Sequence, residues 1–124
     1  MHVIIKGRPI PYKRTTQKQK WVDKSYHKYR DYKQLVQIMT NSQFKGHFKD
    51  KPLIVEVTVH LYGKGSLNMG RDGDIDNYIK AALDSLNKVV YDDDRQVVSV
   101  RGTKCICYKK EDERMEIDIC ETGI

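Results

Sequence analysis

The run Leu53–Tyr62, LIVEVTVHLY, constrains the fold more than any other stretch of the chain. Leu53, Val55, Val57, Val59 and Leu61 alternate with Ile54, Glu56, Thr58, His60 and Tyr62. Successive side chains of a strand point to opposite faces, so this period of two predicts a ten-residue strand with one wholly apolar side. That side must be covered, which requires further strands and a layer of helices.

Two segments have the spacing of such helices. In 24–42, Tyr29, Tyr32, Leu35, Val36 and Met39 form an apolar side, with Tyr26 adding to it. In 76–89 the stripe runs through Ile75, Tyr78, Ile79, Ala82, Leu83 and Leu86 and continues to Val89 and Val90. Asp74 or Asp76 is its candidate N-cap. Shorter strands are predicted at 2–7, at 96–108 (one long strand or one broken at Gly102) and at 114–120. The order β-α-β-α-β-β predicts one α+β domain over 1–124, a two-layer arrangement with a mixed β-sheet and both helices on one face. No run of 18 apolar residues exists, so no membrane-spanning helix is expected. The opening MHVIIKGRP is too short an apolar run for a signal peptide, and a cytoplasmic location is expected. Cys105, Cys107 and Cys120, an odd count without C-x-x-C spacing, argue against a disulfide framework or a zinc site.

Charge is distributed unevenly. The chain carries +6 overall, yet positions 72–94 sum to −5. Asp72, Asp74, Asp76, Asp84, Asp92, Asp93 and Asp94 lie there, offset only by Lys80 and Lys88. A divalent cation beside a nucleic acid accounts for both the acidic patch and the basic remainder. Mg²⁺ takes carboxylate oxygens and keeps several waters. Asp74 and Asp76 can present two carboxylates at the helix start, and Asp93 or Asp94 a third from across a turn. Lys80, one helical turn beyond Asp76, is placed to stabilise charge on a phosphate in its transition state. A plainer reading stands beside this one. Aspartates at helix N-termini are common because the macrodipole favours them. The row Asp76, Lys80, Asp84 is also what ion pairing at i, i+4 produces on a solvated helix.

The basic residues cluster as well. Residues 1–30 hold nine Lys or Arg and one acid, Asp23, a composition that neutralises phosphates. Lys13 and Arg14 in the loop after the first strand are candidate DNA contacts. So are Lys64 and Arg71 in the glycine-rich loop 63–73. Tyr12 and Trp21 either stack on unpaired bases or are pinned to the core. His27, Lys28, Arg30 and Lys33 extend the basic surface.

The stretch Asp74-Ile75-Asp76-Asn77, Lys80, Asp84-Ser85-Leu86 and Asp93-Asp94-Arg95-Gln96-Val97 resembles the RusA family of Holliday-junction resolvases. Gly7 to Arg14 looks like that family's opening strand and basic loop. The resemblance implies a small, dimeric, Mg²⁺-dependent endonuclease, of a kind often carried by prophages, with Mn²⁺ able to replace Mg²⁺. It places the metal-binding acids on Asp74, Asp76 and Asp94 and the catalytic lysine on Lys80. Asp93 is a neighbour able to substitute, and Asp72 is a third acid alternating with the first two. The expected partners are a four-way DNA junction and a second copy of the chain, with no membrane. The rival readings are a non-catalytic DNA-binding module whose acidic patch docks a protein, and a Mg²⁺-dependent RNase on a similar scaffold.

Overall fold

The computed structural model describes residues 1–13, 24–63 and 73–123. The strands are β1 His2–Lys6, β2 Leu53–Tyr62, β3 Val97–Cys107 and β4 Arg114–Glu121. The helices are α1 Lys24–Gln43 and α2 Ile75–Leu86. The strands form one sheet in the order β1-β4-β2-β3. β4 lies between β1 and β2 and runs antiparallel to both, whereas β3 runs parallel to β2. The sheet is therefore mixed, as the element order predicted.

Alternation along β2 decides the layering. Leu53, Val55, Val57, Val59 and Leu61 are all fully buried. They share one core with Val3 and Ile5 of β1, Tyr32 and Val36 of α1, and Tyr78, Ala82 and Leu86 of α2. Both helices thus cover the same face. The opposite face is charged and paired within itself. His2 Nδ1 lies 2.6 Å from Asp118, and Arg114 Nε donates to Glu116 at 2.9 Å. His60 Nε2 is 2.8 Å from Glu116, so it is a strand residue facing a carboxylate across the sheet.

The structure moves one boundary, settles the continuity of β3 and changes the burial of one residue of α1. α2 ends at Leu86, not 89. Lys88 takes a left-handed φ of 66°, and its N–H turns back to Tyr91 O at 2.7 Å. The apolar period carries on past the helix because Val90 remains in the core as a turn residue. Gly102 does not break β3, where it pairs with Val57 in a continuous strand. The position is glycine because α2 lies against it. A β-carbon there would stand 2.6 Å from Ile79 Cδ1 and 2.8 Å from Ile75 Cγ1. Leu35, expected on the apolar side of α1, is 39% exposed, while Thr40 is buried.

Arg8 and Glu113 were not foreseen as partners. Glu113 follows the short 3-10 turn Lys110–Asp112, and its side chain is 3% exposed. Its carboxylate pairs with the Arg8 guanidinium and accepts the Tyr62 N–H at 3.1 Å. The outer edge of β1 is closed by Gln43, whose amide both accepts from and donates to the Ile4 backbone at 2.8 Å. Among the described residues no helix is long and apolar enough to cross a membrane.

Candidate active site

The start of α2 is pinned from three sides. Tyr12 N–H donates to Asn77 O at 2.9 Å, Lys104 Nζ donates to Gly73 O at 3.0 Å, and Gly73 N–H donates to the Tyr78 hydroxyl at 3.2 Å. Gly73 is needed for this closeness, since a β-carbon there would meet Pro11 Cγ at 2.7 Å. Asp74 then occupies the N-cap position with extended backbone, but its side chain makes no capping hydrogen bond. Its backbone carbonyl accepts from Asn77 and Tyr78. Asp76 lies in the first turn, and both aspartates are exposed. A carboxylate that could have capped the helix is thus left facing outward.

One turn on, Lys80 rests its ammonium over the Tyr12 ring, 4.8 Å from the centroid. The same nitrogen is 3.9 Å from Asp84 Oδ2. The i, i+4 pairing of the plainer reading is therefore present for Lys80 and Asp84. Asp84 also accepts from the Tyr29 hydroxyl at 3.3 Å, and Tyr12 meets the Tyr29 ring edge-on at 5.5 Å. Burial, followed by the Asp84 charge, pushes the Tyr29 phenol well above its ordinary range, so it stays a donor. Tyr12 is consequently engaged with Lys80 and Tyr29. Lys13 and Lys28 flank a depression of about 250 Å³ floored by Ile10, Pro11 and Tyr12.

The acidic turn is ordered by its own side chains. Asp93 caps the 3-10 turn Asp94–Gln96, accepting the Arg95 N–H at 2.8 Å, and Gln96 Oε1 accepts the Asp93 N–H at 3.0 Å. Gln96 Oε1 takes the Asp92 N–H as well, while its Nε2 donates to Phe48 O and Lys51 O. The Arg95 guanidinium, bonded to both Asp93 oxygens, holds that carboxyl below the usual carboxylate range. Asp92 bonds His47 Nε2 at 2.7 Å, and that bond raises the His47 pKa. Asp94 is bonded by the buried Tyr91 hydroxyl at 2.9 Å.

The acids foreseen for a metal fall into two places. Asp74 and Asp76 stand together at the start of α2. Asp94 is tied through Tyr91 to Leu83 O, seven residues beyond Asp76 and so about 10 Å further along the helix axis. Asp84 is the acid near it, since its charge also reaches the Tyr91 hydroxyl. Among the described residues no group of three or more His, Cys, Asp or Glu forms a ready-made metal cluster. Donor chemistry nevertheless fits a hard divalent cation at the helix start. Mg²⁺ is commonly held by one or two carboxylates and keeps its waters, and Asp74 and Asp76 are exposed. Arg14, Lys64, Arg71, Asp72 and Trp21 lie outside the described residues. Tyr29, Tyr91, Gln96 and Lys104 were missed as site residues. The legible signal was Tyr91, an aromatic with a polar tip directly before three aspartates.

Outward carboxylates at a pinned helix start, an ammonium one turn away and a basic rim make up a candidate site for phosphodiester chemistry on an α+β domain. The family model for endodeoxyribonuclease RusA matches residues 3–120. The chain belongs to the RusA family of endodeoxyribonucleases. It is also similar to the uncharacterized protein YqaN of Bacillus subtilis (strain 168), at 40% identity over 60 residues. That match spans 48% of this chain and 40% of YqaN.

Proposed function

We propose that this protein is a Mg²⁺-dependent endodeoxyribonuclease that resolves four-way DNA junctions by paired symmetric nicks, acting in the cytoplasm as a C2 homodimer. The observation that carries the reading is the pair Asp74 and Asp76, exposed at a helix start that three hydrogen bonds fix in place. Family membership supplies the reaction class.

A divalent cation held by Asp74 and Asp76 would polarise the scissile phosphate and activate a water, whereas Asp94, tied through Tyr91 to Leu83 O about 10 Å further along α2, is not brought to that pair. Mn²⁺ would serve in place of Mg²⁺. Lys80 would neutralise charge gathering on the phosphate oxygens. The Tyr12 ring and the Asp84 carboxylate hold its ammonium beside the helix. Lys13 and Lys28 would bind backbone phosphates next to this point, and Arg14, Lys64 and Arg71 would extend the track. Two nicks related by two-fold symmetry need two sites related in the same way, which a C2 dimer provides.

The test is cleavage of a labelled synthetic four-way junction with Mg²⁺, with EDTA, and by Asp74→Asn. Paired nicks that vanish in both controls are expected. Wild-type cleavage by Asp74→Asn would refute the assignment of the site. Tight binding without nicking in Mg²⁺ and Mn²⁺ would favour a DNA-binding module instead. Cleavage of an RNA strand in preference to DNA would favour an RNase.

A further inference from the structure

We infer that the open edge of β3 is the surface through which this chain dimerises, and that its occupant is β3 of a second copy, paired antiparallel about a two-fold axis beside Val100. The inference rests on the C2 dimer proposed above and assigns the surface that forms it.

The sheet has two outer strands, β1 and β3. Backbone groups on an outer strand are open to pairing with another chain unless something covers them. On β1 the Gln43 amide bonds both the N–H and the C=O of Ile4. Among the described residues β3 has β2 as its one neighbouring strand. It is also the longest of the described strands, eleven residues without a proline. Val98, Ser99, Val100 and Arg101 are all exposed, the two valines at 55% and 40%. The ladder to β2 steps over Val98 and is regular from Ser99 onward. Val100 pairs with the buried Val55, and Gly102 with the buried Val57, so Val100 lies on the face that the helices cover. α2 reaches Gly102 through Ile75 and Ile79 yet leaves Val100 exposed. Ile75, Ile79 and Leu83, four apart along α2, are themselves only partly buried.

Charge along the chain identifies the occupant. Asp92, Asp93 and Asp94 precede β3, followed by Arg95. From Gln96 to Val100 there is no charge. From Arg101 to Lys110 stand Arg101, Lys104, Lys109 and Lys110, and no acid. The strand is therefore acidic before its exposed centre and basic after it. Two copies paired antiparallel about Val100 set the acidic end of each beside the basic end of the other, and the uncharged valines meet in the middle. Parallel pairing would set like on like. Opposite charges across a strand pair stabilise it, and like charges destabilise it. Antiparallel pairing of one strand with itself is also two-fold symmetric, with the same patch serving both copies.

The experiment is sedimentation equilibrium of wild type, Val98→Glu/Val100→Glu, Lys109→Glu/Lys110→Glu and Leu35→Glu/Ile38→Glu, with circular dichroism of each to confirm folding. Leu35 and Ile38 are the exposed apolar pair on α1 and serve as the control. Wild type is expected as a dimer. Glutamates in place of the two valines meet their own copies across the axis, which should raise the dimer Kd about a hundredfold or more. Reversing the two lysines sets acid against the acidic turn and should raise it about tenfold. The α1 variant should dimerise as wild type does. A dimer that survives the valine variant, or that only the α1 variant dissociates, would overturn the inference and leave the C2 dimer standing. Dissociation by the valine variant with the lysine variant unchanged would overturn the antiparallel pairing. If the valine variant does not fold, the lysine variant decides, a weakened dimer upholding the inference and an unchanged one overturning it. Wild type that sediments as a monomer at every concentration would overturn the dimer itself and the inference with it.

Discussion

Replacing Arg8 should damage the fold and leave junction binding alone, although Arg8 stands in the basic N-terminal segment. The Glu113 side chain is 3% exposed, so its charge is desolvated. Among the described residues two groups compensate it, the Arg8 guanidinium and the Tyr62 N–H at 3.1 Å. Arg8→Ala removes the only positive charge of that set and leaves a buried carboxylate with one neutral donor. Breaking a buried pair from one side costs about 3–5 kcal/mol. Arg8 is itself 43% exposed, so water enters the vacated space and the lower end of that range applies. A loss of about 3 kcal/mol lowers the melting temperature of a domain this size by roughly 10 °C. Thermal and urea melts of Arg8→Ala would measure it. Adding Glu113→Gln should recover part of the loss, because no unpaired charge remains buried. If Arg8→Ala melts within 2 or 3 °C of wild type, or weakens junction binding while leaving the melt unchanged, the structural role assigned to this arginine is wrong.

Lys13→Ala and Lys28→Ala should each weaken junction binding about equally across sequences and flatten its salt dependence by about one unit of slope, with unchanged melts. A fluorescence-anisotropy titration at several salt concentrations reads both effects. Gln96→Ala removes an amide that bonds four backbone groups at 2.8 to 3.1 Å. It should cost about 2 kcal/mol and speed hydrogen exchange at Asp92 and Asp93, and native exchange rates there would contradict the account of the turn. Asp92 raises the His47 pKa above its ordinary 6.5 by a direct hydrogen bond. Any stability from that pair is fully present below the unfolded pKa and is lost as pH rises through the raised folded value. An NMR titration should show the His47 pKa falling toward 6.5 in Asp92→Asn.

The sheet and its cover were legible because β2 alternates without a fault and both helices hold their apolar period. The end of α2 was not. Val89 and Val90 extend the stripe while packing as turn residues, and the left-handed residue is Lys88, where no glycine marks a stop. Arg8 was misplaced because its partner lies in the charged run Lys109, Lys110, Glu111, Asp112, Glu113, which looks solvated throughout. Tyr29 was assigned to the core stripe, and its ring does belong there. Its hydroxyl, however, reaches Asp84 55 positions away, a contact that helical spacing on α1 cannot reveal. The acids themselves were visible, since charge density needs no fold to be counted. What holds each acid depends on tertiary contacts, and no periodicity encodes those.

Those contacts also show which aspartates still need a counter-charge. Seven aspartates in one stretch pointed to a divalent cation, with helix capping and ion pairing at i, i+4 as the plainer reading. The structure compensates four of them individually. Asp92 has His47, Asp93 has Arg95, Asp84 has Lys80 and Tyr29, and Asp94 has the Tyr91 hydroxyl. Of the described aspartates in the stretch, Asp74 and Asp76 are left at the helix start, where the macrodipole offsets only part of their charge. Demand for a cation is therefore concentrated there. Mg²⁺ at about ten times its Kd should stabilise the native protein by about 1.4 kcal/mol, a rise of roughly 5 °C in melting temperature. That rise should disappear in Asp74→Asn/Asp76→Asn and persist in Asp92→Asn. Scanning fluorimetry with and without Mg²⁺ distinguishes the two. A full shift surviving in the double variant would mean that the cation is bound elsewhere, and that the outward carboxylates at the start of α2 serve another purpose.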